Sequence, residues 1–511
     1  MPAEEAACSP GRAACLAESR RRERFWLWLG ALIAIYFLIT PWGIQNQSIS
    51  NPDEPRYAAA VREMFRGSDK IVPVFNTQPR LVKPIMIYWV LFAGSAIGAS
   101  LGMPLQTALH LGSLFMGLLA ALGTFLMGWR FRNTRFGFLA AVLVITTHRF
   151  HDAARDILAD MTLTAFLVWG WFCFLIAVDR MQRRTGAFLP LLGCYLCLGA
   201  ACMTKGPVLV GAFAAAPMLA FLVWSQRTEV LKRAGLWWGV PMALAIGLWW
   251  FAVLVQRGYG NDVYHFFTTQ NFERAVSAEG ADGHPWPYLF YITSLGDALL
   301  PWSIALPLAW WHTWRRWRAL PSDDLCWEAK FLICALVLPF AVIGLSVSKR
   351  AIYLVPLYPF LALYMVWAAE NAFFCAVEPE EQRRRSRIAF VLLAAAVAWV
   401  LTAEIAVRPA RERFYARAEF YHRLDQLSAG RPVMIAGLGI YEAVWYLDRP
   451  VQAVEECTLP QLAGGFSPAP DRVLVLPASF LTRNPAVAAK FVVLEGTLRR
   501  GNDEFAVVAA K

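Results

Sequence analysis

The fold class of this chain is decided by the stretch Arg20-Arg-Arg-Glu-Arg-Phe-Trp-Leu-Trp-Leu-Gly-Ala-Leu-Ile-Ala-Ile-Tyr-Phe-Leu-Ile-Thr40, in which a basic cluster precedes an apolar run. Basic residues before an uncharged apolar run are typical of the cytoplasmic flank of a transmembrane helix. No small-residue cleavage site follows the run. We therefore expect a retained first span with a cytoplasmic N-terminal tail, residues 1–24, rather than a removed signal peptide.

The composition extends this interpretation to most of the chain. Of 511 residues, 58% are hydrophobic and 17% are charged, whereas about a quarter of the residues of average soluble domains are charged. Long apolar runs recur between residues 25 and 407, so the sequence predicts a polytopic membrane protein and excludes a soluble enzyme. The net charge of +11 does not indicate nucleic-acid binding, because the basic residues cluster in short loops between apolar runs.

The basic clusters also orient the predicted helices. Clusters that mark the cytoplasmic side begin at Arg130, Arg180, Arg227, Arg315 and Arg383. Alternation between them predicts crossings near 25–42, 104–129, 136–150, 160–178, 188–203, 207–224, 236–256, 291–311, 329–345, 351–370 and 388–407. The expected fold is therefore all-α, with about 11–13 transmembrane helices and an external C-terminus.

One apolar segment conflicts with this alternation. The segment from Pro84 to Leu101 is long enough to cross the membrane, but a crossing there would move the Arg130 cluster to the outside. We therefore expect it to form a re-entrant or interfacial helix.

The predicted transmembrane domain covers residues 25–407 and carries external loops at 43–83 and 257–290. Residues 408–511 instead combine a polar, helix-like stretch with short β-like runs at Pro432–Ala436, Val473–Leu476 and Phe491–Leu494. This pattern predicts a small external α/β domain at the C-terminus.

The first external loop contains the polar stretch Asn51-Pro-Asp-Glu-Pro-Arg-Tyr57. Its adjacent carboxylates, Asp53 and Glu54, lie at the water edge of the bilayer, where a general base can meet a lipid-linked substrate. Helix-start chemistry is the alternative, with Asn51 as N-cap, Pro52 at the first helical position and Glu54 in a capping box. Asp53 is therefore the stronger candidate of the two.

Several cations fall on the external side, where topology does not require them: Lys83, Arg149, Arg155, Lys205, Lys349 and Arg350. Cations at that depth need an anion, which indicates a phosphate or pyrophosphate on a lipid. Snorkelling to lipid head groups is the alternative for any single one of them. Tyr353 adds a neutral donor four residues after Lys349, on the same face if the segment is helical.

The second external segment carries three acids, Asp152, Asp156 and Asp160, spaced so that one helix would align them. Asp160 would then lie at the mouth of the next span, although capping or pairing with a nearby arginine also explains such acids. In the aromatic loop 257–290, His265 and His284 could hold a divalent metal, but they lack a third ligand at recognisable spacing. No cofactor is therefore expected to be required.

The chain resembles a known family at the motifs Pro52-Asp-Glu-Pro-Arg-Tyr57 with Arg62-Glu-Met64, Lys83-Pro84 with Tyr88-Trp89, Met203-Thr-Lys-Gly206, and Ser346-Val-Ser-Lys349 with Tyr353. These motifs resemble those of bacterial lipid A aminoarabinose transferases and of protein O-mannosyltransferase-like enzymes. Both are C-type glycosyltransferases, which take a sugar from a polyprenyl phosphate at the outer face of the membrane. The resemblance runs from about residue 25 to 370.

The resemblance implies an inverting glycosyltransferase of the bacterial inner membrane, with its active site and C-terminal domain in the periplasm. It implies a sugar donor on undecaprenyl phosphate or another polyprenyl phosphate, and a lipid or other envelope acceptor. The implied catalytic residues are Asp53 and Asp160, and the implied donor-phosphate ligands are Lys83, Lys205, Lys349 and Tyr353. Arg350 departs from the family's usual residue after the lysine and is a donor-phosphate candidate through its charge on the external side. Secondary candidates are Glu54, Arg56, Tyr57, Asp156, His265 and His284. A transporter or flippase of lipid-linked sugars is the alternative function.

Overall fold

The apolar runs of the sequence form α-helices in the computed structural model, because a backbone in lipid must satisfy its hydrogen bonds within its own segment. The structure describes residues 10–50, 53–269, 289–319, 326–374, 379–454 and 471–510. The chain divides into two compact units. Unit 1 comprises Met1–Pro41, Leu114–Arg155 and Ala159–Leu401, and unit 2 comprises Trp42–Ser113, Asp156–Leu158 and Thr402–Lys511.

The helices, in chain order, are α1 (Pro10–Ile39), α2 (Glu54–Phe65), α3 (Met86–Ser100), α4 (Leu105–Phe131), α5 (Thr134–Ile145), α6 (His148–Arg155), α7 (Ala159–Gln182), α8 (Phe188–Lys205), α9 (Pro207–Trp224), α10 (Leu236–Gln256), α11 (Gly260–Phe267), α12 (Phe290–Ala298), α13 (Ala305–Ala319), α14 (Trp327–Leu345), α15 (Tyr358–Ala369), α16 (Pro379–Thr402), α17 (Arg408–Tyr415), α18 (Arg417–Ser428), α19 (Ile440–Tyr446), α20 (Ala478–Arg483) and α21 (Pro485–Ala488). The strands are β1 (Val74–Phe75), β2 (Gln78–Pro79), β3 (Val433–Ile435), β4 (Val451–Ala453), β5 (Val473–Pro477), β6 (Phe491–Arg500) and β7 (Asp503–Ala510).

Nine helical segments within the described ranges are long and apolar enough to cross a membrane. They are Arg24–Asn46, Leu105–Phe131, Ala159–Gln182, Phe188–Lys205, Pro207–Trp224, Leu236–Gln256, Trp327–Leu345, Ala351–Ala372 and Glu380–Ser428. The chain is therefore a multi-pass membrane protein.

Two predicted crossings differ from the helices observed. The crossing expected at 136–150 is α5, which ends at Ile145. The next two residues are Thr146 and Thr147, whose hydroxyls donate to the carbonyls of Val142 and Leu143.

The crossing expected at 291–311 is divided into α12 and α13. Pro301 lies between them, and proline lacks the N–H that would continue a helix.

The segment predicted to be re-entrant or interfacial is helical. Its helix, α3, has 15 residues, fewer than the ~20 that a straight crossing needs. Its interfacial placement stays a prediction.

Glycines let the helices of unit 1 approach closely. A Cβ at Gly137 of α5 would lie 2.2 Å from the carbonyl oxygen of Phe125 in α4. A Cβ at Gly199 of α8 would lie 2.8 Å from Cβ of Ile246 in α10. Small residues at helix contacts are the usual means of packing inside a membrane, where dispersion contacts replace the hydrophobic effect.

Unit 2 contains a five-stranded sheet in the order β4-β3-β5-β7-β6. The strands β4, β3 and β5 are parallel, whereas β7 runs antiparallel to both β5 and β6. One face of the sheet buries the cluster Met434, Ala436, Leu474, Leu476, Val487, Phe491, Ala506 and Val508. The small C-terminal α/β region predicted from the sequence is therefore confirmed, with β4 and β7 as strands that the prediction missed.

Unit 2 also includes the first external loop, residues 43–83, which the sequence pattern places in the predicted transmembrane domain. The domain boundaries predicted at residues 24 and 407 stay a prediction.

Candidate active site

Asp53 lies in unit 2 directly before α2, as its N-cap residue. Its Oδ1 accepts a hydrogen bond from Arg56 Nη1 at 3.2 Å, and Arg80 Nη2 lies 3.8 Å from the same oxygen. The Asp53 side chain is 15% exposed. Two guanidinium groups thus orient a carboxylate that remains partly accessible.

Arg80 was not selected by the sequence analysis. Its side chain is 8% exposed, and its guanidinium carbon lies 5.5 Å from the centroid of the Tyr57 ring. Burial opposes the charged form, but interactions with Tyr88, Tyr57 and Asp53 outweigh it, so the pKa of Arg80 is raised. Arg80 therefore brings a permanent positive charge next to Asp53.

A tight hairpin brings Arg80 to this position. Strands β1 and β2 pair antiparallel around Asn76 and Thr77, whose φ angles are 50° and 69°. Two-residue turns with positive φ are those that suit a hairpin. In the sequence, this hairpin corresponds to a short β-like run and a turn that contains Asn76. A run of so few residues is a weak signal for a hairpin.

Glu54 is buried, and its carboxylate accepts hydrogen bonds from backbone N–H groups. Its Oε1 accepts the N–H of Ile157 at 2.9 Å, and its Oε2 accepts the N–H of Ser50 at 3.2 Å. Tyr57 is also buried, and its ring meets the Tyr88 ring edge to face at a centroid distance of 5.3 Å. These contacts give Glu54 and Tyr57 structural roles beside Asp53.

The alternative prediction, that the helix starts with Asn51 as its N-cap, is wrong. The helix begins at Glu54 with Asp53 as N-cap, and Asn51 and Pro52 lie outside the described residues. Pro55 occupies the first turn, where its missing N–H would have had no partner within the helix. Asp53 makes no side-chain capping hydrogen bond, so capping does not explain its carboxylate.

The alignment of Asp152, Asp156 and Asp160 on one helix is also wrong. Helix α6 ends at Arg155 and α7 begins at Ala159, so the three acids lie in α6, in the break and in α7. Within unit 2, Asp156 accepts a hydrogen bond from Gln47 Nε2 at 3.2 Å.

The helix breaks because its backbone and side chains have other partners. The N–H of Ile157 donates to the Glu54 carboxylate and therefore makes no hydrogen bond within a helix. In unit 1, the fully buried Arg155 donates to the carbonyl of Thr40 at 2.7 Å. Neither partner is near in sequence, so helical spacing alone could not show the break.

Asp160 and Lys205 form a buried ion pair in unit 1, with each side chain 8% exposed. Asp160 lies in the first turn of α7 and Lys205 is the last residue of α8, where each charge complements the helix dipole. Gly206 follows with φ +96°, which allows the sharp turn into α9. Lys205 Nζ also lies 5.0 Å from the centroid of the Tyr353 ring. The structure thus brings three predicted site residues together.

Lys349 and Arg350 lie between α14 and the 3-10 helix Ala351–Leu357. Lys349 is 1% exposed and donates to the carbonyl of Ser346, and burial lowers its pKa. The backbone N–H of Arg350 donates to the Tyr291 hydroxyl at 3.3 Å. Because the helix starts at Ala351, Lys349 lies outside it, and the condition under which Lys349 and Tyr353 would share a helical face is not met.

Two further predicted residues are described by the structure, and a third is outside the described part of the chain. Lys83 is half-buried in a bend before α3, and His265 is exposed on α11. His284 lies outside the described residues. Among the residues that are described, no three His, Cys, Asp or Glu side chains are placed to hold a metal ion. Independence from metals stays a prediction.

Comparison with known proteins gives similarity to enzymes that act on lipid-linked sugars. Residues 100–264 match the family dolichyl-phosphate-mannose-protein mannosyltransferase. An undecaprenyl phosphate-alpha-4-amino-4-deoxy-L-arabinose arabinosyl transferase of Erwinia tasmaniensis is 28% identical over 348 residues, which are 67% of this chain and 59% of the relative. Undecaprenyl phosphate-alpha-4-amino-4-deoxy-L-arabinose arabinosyl transferase 1 of Sodalis glossinidius is 30% identical over 345 residues, which are 66% of this chain and 58% of the relative. The chain thus spans about three fifths of the length of these curated relatives.

Solved structures show the same fold. ArnT from Cupriavidus metallidurans, bound to undecaprenyl phosphate, superposes with a TM-score of 0.68 at 17% identity, covering 94% of this chain and 97% of that one. A second match is the oligosaccharyltransferase AglB from Archaeoglobus fulgidus, in complex with an inhibitory peptide and a dolichol-phosphate. It superposes with a TM-score of 0.53 at 12% identity, covering 84% of this chain and 64% of that one. The predicted fold class is confirmed, and the chain resembles C-type glycosyltransferases in sequence and fold.

Proposed function

We propose that this chain is a glycosyltransferase that moves a sugar from a polyprenyl phosphate, most specifically undecaprenyl phosphate, to a lipid or other envelope acceptor. The sequence similarity to undecaprenyl-phosphate arabinosyl transferases supports the donor class. The observation that carries the proposal is the placement of Asp53 between Arg56 and Arg80, because it is a partly exposed carboxylate that neither capping nor burial explains.

Asp53 acts as the general base in this proposal. Its carboxylate takes the proton from an acceptor hydroxyl or phosphate, whose oxygen attacks the anomeric carbon of the sugar. The bond between that carbon and the phosphate oxygen breaks at the same time, and polyprenyl phosphate leaves with the bonding electrons. Because attack and departure occur on opposite faces, the anomeric configuration inverts.

The cations of unit 1 act on the leaving phosphate. Phosphate is a good leaving group, so fixed positive charges can stabilise it without a general acid or a metal. In this proposal Lys205, Lys349 and Arg350 supply those charges. Asp160 holds the Lys205 ammonium in place through its ion pair, and Tyr353 lies against the same ammonium.

The reaction takes place at the periplasmic face of the inner membrane in this proposal. The basic clusters that follow the predicted spans support a cytoplasmic N-terminus. The first external loop, which carries Asp53, and the C-terminal region after residue 407 are then periplasmic.

The test uses the full chain reconstituted in vesicles with envelope lipid extract. Aminoarabinosyl and mannosyl undecaprenyl phosphates, each labelled in the sugar, are assayed in turn. We expect label to pass from one donor to the lipid fraction, and we expect Asp53→Asn to lower kcat about 10²–10⁴-fold while donor binding persists.

The matched control is Asp69→Asn, because Asp69 is an exposed carboxylate of the same loop that accepts the N–H of Ile71. It should transfer label at the unaltered rate. Retention of label in both donors by the unaltered chain, or full transfer by Asp53→Asn, contradicts the proposal.

A flippase of lipid-linked sugars is the second candidate. The buried Asp160–Lys205 pair and the buried Lys349 favour it, since ionisable groups inside membrane proteins often line a substrate pathway. Movement of the intact labelled donor between leaflets without any product would support that function over transfer.

A further inference from the structure

Helix α2 of the first loop and helix α19 of the C-terminal sheet region are joined by arginine side chains within unit 2. Arg62 donates from Nη1 to the carbonyl of Trp445 at 2.7 Å and from Nη2 to that of Val444 at 2.9 Å. Arg66 Nη2 lies 2.5 Å from Asp448 Oδ2. Carbonyls in the last turn of a helix have no partner within it, so Arg62 caps α19 and fixes α2 alongside it.

Arg56 makes a different contact with the same helix. Its guanidinium carbon lies 3.4 Å from the centroid of the Tyr441 ring, a stacking distance that suits a planar cation on an aromatic face. The Tyr441 ring also lies near the Phe75 ring of β1, at a centroid distance of 5.9 Å. The ring therefore contacts two side chains from the first loop.

The same guanidinium reaches the candidate base. Arg56 Nη1 donates to Asp53 Oδ1 at 3.2 Å, so one arginine side chain contacts both Tyr441 and Asp53. Stacking on a ring restricts the plane of a guanidinium, and the plane sets the direction of its N–H donors. An arginine without that ring would keep its charge but would sample several rotamers.

We propose that Tyr441 is a positioning residue for the transfer reaction: its ring fixes the plane of Arg56, and Arg56 fixes the Asp53 carboxylate. The inference rests on the proposed function of Asp53. It gives the C-terminal sheet region a part in the chemical step, through a side chain on α19.

A merely adhesive role for Tyr441 makes different predictions, and Tyr446 supplies the comparison. Tyr446 lies on the same helix, and its hydroxyl accepts the N–H of Ile49 at 3.0 Å, while its ring stacks on Tyr421 at 5.1 Å. It thus connects α19 to the first loop without a contact to Asp53 or Arg56 among those described. Tyr446→Phe removes only the hydroxyl contact and serves as the structural control.

The experiment measures kcat, donor KM and the midpoint of thermal unfolding for the full chain in vesicles. Tyr441→Leu keeps apolar bulk but removes the aromatic face, and we expect kcat to fall about tenfold, the size of a partly buried cation–π contact, with donor KM unchanged. Tyr441→Phe should restore the lost rate, because the stacking needs the ring and not the hydroxyl. Tyr446→Phe should leave kcat unchanged.

A double-mutant comparison ties the effect to Arg56. Arg56→Lys keeps the charge but loses the planar fork, and Tyr441→Leu should cause no further loss of kcat in that background. If Tyr441→Leu lowers the unfolding midpoint strongly, Arg56→Lys alone carries the test, with the same expected fall in kcat. A further fall in the double variant, a wild-type rate in Tyr441→Leu, or an equal loss in Tyr446→Phe overturns the inference.

Asp53→Asn, assayed in parallel, separates this inference from the function beneath it. If Asp53→Asn is inactive while Tyr441→Leu keeps the full rate, only the role of Tyr441 fails. If Asp53→Asn keeps the full rate, the general base and the positioning role fail together.

Discussion

Asp53 in unit 2 and Asp160 in unit 1 are both carboxylates at helix N-termini, yet their surroundings differ. Asp53 is 15% exposed and contacts two arginines through one oxygen. Asp160 is 8% exposed and pairs with a single lysine that is equally buried. Under the proposed function, these environments give two identical side chains different roles. The partly exposed Asp53 carboxylate takes the proton, whereas the buried Asp160 carboxylate holds its lysine partner in place.

The largest expected effect is on the buried ion pair of Asp160 and Lys205. Asp160→Asn leaves the Lys205 ammonium buried without its partner, so we expect the free energy of unfolding to fall by about 3–5 kcal/mol. Thermal or denaturant unfolding of the purified chain measures it. Replacing both residues, as Asp160→Leu with Lys205→Met, should recover most of the stability, because it removes both buried charges.

The matched control for Asp160 is Asp297→Asn. Asp297 pairs with Arg149 at 2.9 Å, but both side chains are about half exposed, and such pairs contribute about 0.2–1 kcal/mol. An unfolding free energy for Asp160→Asn no lower than that of Asp297→Asn would show that the buried pair does not stabilise unit 1.

Glu54 tests whether burial separates the two kinds of carboxylate, because it adjoins Asp53 in sequence but is buried like Asp160. The Glu54 carboxylate accepts hydrogen bonds from the backbone N–H groups of Ile157 and Ser50. In Glu54→Gln, one of these N–H groups would face the side-chain NH₂, which cannot accept a hydrogen bond. We expect a loss of about 1.5–3 kcal/mol in stability, the range for hydrogen bonds to charged groups. The kcat per folded molecule should stay unchanged, measured as transfer normalised to the folded fraction. A kcat loss as large as that of Asp53→Asn would instead make Glu54 part of the reaction.

Arg80 tests the second guanidinium at Asp53 and should give the smallest effect. Arg80→Gln removes a buried positive charge 3.8 Å from the carboxylate, and we expect kcat to fall about tenfold, or about 1.4 kcal/mol in the activation barrier. Arg66→Gln is the control, because Arg66 lies on the same loop but pairs with exposed Asp448. Equal rates for the two variants would remove Arg80 from the site.

Much of the fold follows from local sequence patterns. The apolar runs predicted nine segments that are now helices of spanning length within the described ranges, and the β-like runs predicted three of the C-terminal strands. Two other predicted spans differ, since α5 ends at Ile145 and Pro301 lies between α12 and α13. Hydropathy does not measure the N–H that a proline lacks.

The candidate site was predictable only in part. Charge on the external side selected Asp53, Asp160 and Lys205, and the structure brings Asp160 and Lys205 together. It did not select Arg80, because a single arginine after a short turn has no distinguishing pattern. The spacing of the acids also failed, since Ile157 donates its N–H to a carboxylate more than a hundred residues earlier.

The membrane class, most of the spans and the acidic stretch around Asp53 follow from local sequence, because hydrophobic length, basic flanks and helix starts are properties of neighbouring residues. The groups that surround each carboxylate are instead set by tertiary packing. Arg56 meets Tyr441, and Asp160 meets Lys205, through packing between elements far apart in the chain. Contacts of that kind leave no periodic trace in the sequence, because folding selects them by shape and charge.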